Sequence, residues 1–363
     1  MKGDGMCTER NPSVELLRCI SMYLVVLHHC HCHGIFSGGW SALFVLVLWH
    51  VDCFIAISGW YGISFKPSKV LRLWGQMAFY SVLMMVFCWF RGQPQFLISG
   101  GWFGNTYLFL MFVAPLVNLC ISSLDNKVRR RLLASWMLVA LGVICLWCPW
   151  VDRITALRPS GVSPNSFAVI LFVYVTAMIA RKVGFSPSKM MVGKVLLWYV
   201  GVSIVLGCVC AWRTIGHGGS LHGEHFLWCT NNLAPHVWLL AVVLCAIFAT
   251  RVKVGRRLGR VAVFLAPSMF GVYLLHDGCQ GVGRILYVTP ENWLYAHTSI
   301  PPFFIIVVVS IGVFMGGLAV DLIRRGVVKM VWPLMVVILD RLDRRWESVA
   351  QRWENKIYSV SSE

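Results

Sequence analysis

Charge is what this sequence has least of. Charged side chains make up 13% of its 363 residues, about half the usual share of a soluble domain, and only 15 of them are acidic. A surface so poor in charge excludes an ordinary water-soluble fold. Long polar loops are scarce, and no repeated pattern relates the two halves, which weighs against a transporter assembled from symmetric repeats. No A-x-A-like cleavage site follows the first apolar segment, so that segment is expected to stay as a span rather than leave as a signal peptide. Nor is there a small cysteine-dense domain. The 14 cysteines lie mostly in apolar stretches, where a thiol acts as a small apolar group.

What fills the space is hydrophobic: 58% of the residues, with a mean hydropathy of +0.71. About 20 apolar residues cross about 30 Å of hydrocarbon at a rise of 1.5 Å each. Ten such windows fall near 14–33, 41–63, 73–90, 102–122, 132–150, 165–181, 195–212, 233–250, 262–280 and 302–323. They read as helices, because hydrocarbon offers no water to satisfy open strand edges. Pro187 and Pro267 sit close to the ends of the sixth and ninth windows, which makes those two the weakest. With the N-terminus inside, 26 of the 32 basic residues fall on the cytoplasmic side and five in the opposite loops, leaving Arg18 within a span. That asymmetry follows the positive-inside rule. The net charge of +17 therefore reports topology, not nucleic-acid binding. The expected fold is an all-α polytopic membrane bundle of about ten transmembrane helices, with both termini cytoplasmic.

Two units are expected: a membrane domain over 1–325 and a tail over 326–363. In the tail, Pro333 and Asp340 leave too short a clean stretch for an eleventh span. Leu342, Trp346, Val349 and Trp353 recur at helical spacing among charged residues, the pattern of an amphipathic helix lying on membrane lipids at the cytoplasmic face. On the opposite side, the Gly- and His-rich loop near 213–232 carries His217, His222, Glu224 and His225 and reads as irregular structure. Trp228 and Trp238 are candidates for stacking on a ligand, although most of the 17 tryptophans belong to interface belts or core.

The most informative stretch is residues 18–34, "RCISMYLVVLHHCHCHG". Arg18 and His29 are eleven residues apart, about 20° beyond three full helical turns, so they share one face about 16 Å apart along the axis. An arginine inside a span costs about 2.5 kcal/mol or more and usually faces protein or a wet cavity. Snorkelling toward headgroups is the alternative for a residue this near the interface. The histidines His28, His29, His31 and His33 admit three readings: metal ligands, interfacial hydrogen-bonding groups, or a general base. His29 and His33 have the i, i+4 spacing of helix-borne ligands, but no acidic residue lies near to orient them, and no metal is expected. Imidazole titrates near neutral pH, so His29 on a cavity-facing helix is the candidate base.

Four stretches in order resemble the acyltransferase-3 family of integral-membrane acyltransferases. "RNPSVELLRCISMYLVVLHHCHCHG" looks like its first helix, with the family's basic residue and a histidine eleven positions later at Arg18 and His29. "VDCFIAISGWYGI" is similar to its second, with Ser-Gly-aromatic at Ser58, Gly59 and Trp60. "WFGNTYLFLMFVAPLVN" looks like its helix with a tyrosine and a late Pro-Leu. "APSMFGVYLLHDG" resembles its late helix through Ser268, Gly271, Tyr273, Leu274 and His276. The resemblance covers roughly residues 10–325, and ten spans is the family's usual number.

The resemblance implies transfer of an acyl group, most often acetyl from acetyl-CoA, to a hydroxyl of a surface carbohydrate or its lipid-linked precursor in a bacterial inner membrane. It implicates Arg18 and His29 in activity. In this reading His29 removes the hydroxyl proton, an acetyl-His29 intermediate being the alternative. Arg18 meets the phosphates of CoA, and His276 is a second acid-base candidate. The candidate substrate-binding residues are Tyr273, Asp277 and Ser58. Basic loops at 127–131 and 251–260 are topology determinants before they are phosphate contacts. A carbohydrate or small-molecule transporter, using the same intramembrane charges without chemistry, is the competing reading, and a structural membrane subunit is a third.

Overall fold

The computed structural model describes residues 10–35, 45–92, 100–145, 167–216, 235–277 and 282–360. Among the described residues every regular element is helical. In chain order these are α1 (Pro12–His33), α2 (His50–Tyr61), α3 (Pro67–Phe90), α4 (Gly101–Ser123), α5 (Asn126–Cys145) and α6 (Phe167–Lys182). There follow α7 (Lys189–Gly216), α8 (Pro235–Thr250), α9 (Arg256–Leu265), α10 (Met269–His276), α11 (Ile285–His297) and α12 (Pro302–Val360).

Each of the ten apolar windows holds a helix, the ninth holding both α9 and α10. Among the described residues, five stretches are long and apolar enough to cross a bilayer: Pro12–His33, Pro67–Phe90, Gly101–Ser123, Arg256–His276 and Pro302–Val331. The chain is thus an all-α membrane protein. The ninth window does not break at Pro267. That residue lies in a 3₁₀ turn, Ala266–Ser268, between α9 and α10, and Arg256–His276 as a whole qualifies as a span. A proline tolerates the first turn of a helix because its missing N–H has no partner there.

The start of α1 is fixed by local chemistry. The Asn11 side chain caps it by accepting the Ser13 N–H at 3.0 Å, and Pro12 occupies the first turn. Asn11 also donates to the Ala249 carbonyl and Ser13 to the Val252 carbonyl, tying this end to α8. From there α1 crosses two hydrophobic clusters. Val14 and Leu17 pack with Ile55, Tyr174 and Leu240, in the layer built by α2, α6 and α8. Met22, Val25, Val26 and Cys30 pack with Tyr80, Leu274 and Ile305, in the layer built by α3, α10 and α12. The helix with the functional candidates is therefore the seam between two half-bundles.

Two glycines permit that packing. A Cβ on Gly59 would overlap the Tyr174 carbonyl, so the Ser-Gly-aromatic stretch has glycine where α2 and α6 touch backbone to backbone. A Cβ on Gly271 would overlap the Asp321 carboxylate and the Tyr80 hydroxyl, so only glycine admits that polar pair beside α10.

The last described helix is also the longest. α12 runs 59 residues, about 88 Å, and continues through 325–326 and through Pro333 without a helix boundary. Its outer part binds the α2–α3 connection. Asp343 accepts from both the Ser68 N–H and the Ser68 hydroxyl, at 2.9 and 2.6 Å, Lys66 pairs with Glu347 at 3.0 Å, and Trp346 packs on Phe65. Farther up, Tyr80 donates to Asp321 at 2.9 Å. From Asp321 to Asp343 is about 33 Å of α12, against about 18 Å of α3 from Tyr80 to Ser68, so α12 cannot run both straight and parallel to α3.

Candidate functional site

The site forms where the C-terminal end of α1 meets the C-terminal end of α10. His29 Nδ1 lies 3.0 Å from His276 Nε2, and His276 Nδ1 lies 2.6 Å from the Val272 carbonyl. A carbonyl only accepts, so His276 carries its proton on Nδ1 and presents a lone pair at Nε2. His29 must then donate from Nδ1. Its Nε2 is left unprotonated, the form a general base requires. The network thus assigns both tautomers from one main-chain oxygen. Asp277, the next residue after α10, has a carboxylate oxygen 4.0 Å from His29 Nδ1. That is too long for a hydrogen bond.

The neighbouring histidine has different company. His28, rotated by about 100° on the helix, lies beside the Cys32 thiol and has its ring centroid 5.2 Å from that of the buried His50. His31 is fully buried, and the His33 ring is 5.6 Å from that of His29. Among the described residues, no group of three or more His, Cys, Asp and Glu side chains is arranged to hold a metal ion.

An aromatic seam leads away from the histidine pair. The Tyr273 ring meets His276 edge-on, with centroids 6.1 Å apart, and meets Phe103 at 5.7 Å. Phe103 stacks on Tyr107, whose hydroxyl is 3.0 Å from Ser58 Oγ. Ser58 also donates to the Phe54 carbonyl. Tyr273 and Ser58 are thus the two ends of one row of side-chain contacts that runs from α10 through α4 to α2. They are joined by Tyr107, the tyrosine of the third family-like stretch, and by Phe103, which sequence reasoning missed. Its signal was present in "WFGNTY", one helical turn before Tyr107.

Arg18 stands away from this chemistry. Its Nη1 is 3.6 Å from Glu15 Oε2, its side chain is about a third exposed, and it acts electrostatically on Tyr61 of α2 and Cys245 of α8. Helical period puts it on the same side of α1 as His29, about three turns away.

Glu291 is a further residue the sequence reading passed over. It is fully buried on α11 and accepts the Ile35 N–H at 3.0 Å, just beyond the end of α1. Burial pushes its carboxyl up to about 7, against the opposing pull of that hydrogen bond. It fixes the helix end that carries the histidines. Of the remaining candidates, Trp238 is core, packed edge-on against Phe172. His217, His222, Glu224, His225 and Trp228 lie outside the described residues, as does the side chain of Trp353.

Comparison with curated proteins and with solved structures gives no match. Comparison with protein families does. The acyltransferase-3 family, described as an acyltransferase domain, matches residues 11–318, from the cap of α1 into the apolar part of α12. The chain belongs to the acyltransferase-3 family and is a helical membrane acyltransferase.

Proposed function

We propose that the protein moves an acetyl group from acetyl-CoA to a hydroxyl of a surface carbohydrate, or of its lipid-linked precursor, across a bacterial inner membrane. The topology in this reading is ten spans with both termini cytoplasmic. CoA then arrives from the basic side, and the acceptor meets its acetyl group at the histidine end.

The observation that carries the reading is the His29–His276 hydrogen bond, with its protons fixed by the Val272 carbonyl. A sugar hydroxyl is a weak nucleophile at neutral pH. His29 Nε2 takes its proton as the oxygen attacks the thioester carbonyl. The resulting imidazolium keeps its Nδ1–H on His276 and has Asp277 alongside. The tetrahedral intermediate then expels the thiolate, breaking the C–S bond, and His29 returns the proton to sulfur. Proton removal by a positioned imidazole is worth roughly 100- to 10,000-fold in rate. Arg18 holds the anionic end of the donor, about 16 Å back along the helix.

The test is label transfer from radiolabelled acetyl-CoA by the purified protein, with and without a glycan acceptor. Loss of transfer in His29→Ala and Arg18→Ala supports the reading, and transfer untouched by either defeats it. Carbohydrate binding with no consumption of acetyl-CoA would mark a transporter instead.

A further inference from the structure

At the end of the bundle opposite the histidines, the start of α1, the C-terminus of α2 and the C-terminus of α6 come together. Arg181, near the end of α6, donates from Nη1 to the Trp60 carbonyl at 2.7 Å, satisfying a carbonyl that α2 leaves open at its end. The same guanidinium lies over the Tyr61 ring, 5.4 Å from its centroid. Tyr61 is 45% exposed, and its hydroxyl feels the fields of both Arg181 and Arg18.

Capping α2 occupies one of the five N–H groups of Arg181. It does not account for an open aromatic ring under that guanidinium, at the end of the bundle from which α1, with Arg18, begins. Two planar cations suit phosphate esters, and an exposed ring beside them suits a flat base. Ser58, where the aromatic seam begins, lies three residues before Tyr61 and so on the same face of α2. The guanidinium–ring pair and the aromatic seam that reaches Tyr273 and His276 therefore meet on one helix, α2.

We propose that Arg181 and Tyr61, together with Arg18, form the docking site for the phosphate-bearing end of the thioester donor. The site aims the donor's reactive arm along the Ser58–Tyr107–Phe103–Tyr273 seam. This rests on the acyl-transfer reading above and adds the residues of α2 and α6 that select the donor. A lipid headgroup shares the phosphate chemistry. The aromatic ring and the adjoining seam favour the nucleotide-bearing donor.

Two donors separate docking from chemistry in nanodisc-reconstituted protein: acetyl-CoA, and S-acetyl-N-acetylcysteamine, which carries the thioester without phosphates. Arg181→Gln and Tyr61→Ala are each expected to raise KM for acetyl-CoA roughly 10- to 100-fold. Each should change kcat/KM for the short thioester by less than about twofold, with partial recovery in Arg181→Lys. Tyr61→Ala leaves the Arg181–Trp60 hydrogen bond in place, so it reports on docking without disturbing the end of α2. Equal losses on both donors, or loss on neither, overturn the proposal. Direct binding of unacylated CoA, weakened by the same factor in Arg181→Gln, supports the site without requiring transfer. Its result therefore stands apart from success or failure of the acyl-transfer reading. A KM effect confined to nanodiscs containing an anionic phospholipid, and absent in purely zwitterionic ones, would assign the cations to headgroups and overturn the proposal.

Discussion

His29 and His276 are 247 residues apart in the chain and 3.0 Å apart in the fold, imidazole to imidazole. The Val272 carbonyl sets the direction of that hydrogen bond, so in the proposed reaction His276 positions His29. His276→Ala is expected to lower kcat roughly 100-fold with KM changed by less than about threefold, since the bare imidazole loses its tautomer and its aim. His276→Gln, whose side-chain oxygen can still accept the His29 proton, should recover part of that loss. Initial rates of acetyl transfer check both. Equal rates for the two variants would mean that tautomer control contributes nothing.

Glu291 predicts a pH dependence of stability. Its folded carboxyl is raised to about 7 by burial, above the ordinary value of 4.5. The folded state therefore holds a proton that the unfolded chain releases, and stability falls as pH rises. The protonated form contributes fully below the ordinary carboxylate range, and that contribution is lost as pH passes through about 7. Cys30 and Tyr287 face the carboxyl from α1 and α11. Glu291→Gln keeps an acceptor for Ile35 and cannot ionise. Between pH 5 and 8 the wild-type Tm should drop relative to the variant by roughly 2–4 °C. Parallel Tm curves across that range would rule the assignment out.

Gly271→Ala inserts a methyl group where the Asp321 carboxylate and the Tyr80 hydroxyl already sit. Asp321 is fully buried and pairs with Arg324 at 2.7 Å, so it has little room to yield. Overpacking of this kind costs roughly 1–3 kcal/mol. Because α10 also carries His276, activity should fall together with thermal stability. A Gly271→Ala protein with wild-type Tm and wild-type rate would show that α10 is free to shift.

The outer part of α12 is predicted to depend on one carboxylate. Asp343 caps the first turn of α3 from the far end of the chain, through the N–H and hydroxyl of Ser68. Against a desolvation penalty, those two bonds and the nearby Lys66 and Arg72 hold its carboxyl below the usual range. Asp343→Ala should weaken the contact by about 1 kcal/mol and speed tryptic cleavage at Arg341, Arg344 and Arg345. A digestion pattern identical to wild type would refute the cap.

Several of these relationships were legible in the sequence and several were not. The eleven-residue spacing of Arg18 and His29 is a property of one helix, so their shared side of α1 was readable in advance. His28 and His29 are adjacent in sequence, yet one faces His50 and the other His276. Only packing distinguishes them. Glu291 and Arg181 gave little local signal, because their partners are main-chain groups at the ends of other helices. Asp321 did give one. An acidic residue inside an apolar run is a flag in itself, although nothing in the run says that Tyr80, Gln76 and Arg324 surround it.

The sequence by itself determined that this is a helical membrane protein, and that one helix carries a guanidinium and an imidazole on the same side. Apolar length and helical period are local quantities that need no partner. Only the tertiary structure decided which histidine has a bonded neighbour, which nitrogen is bare, and which aromatic rings connect the two ends of the bundle. Hydrogen bonds between distant segments have direction, and direction is set where the helices meet.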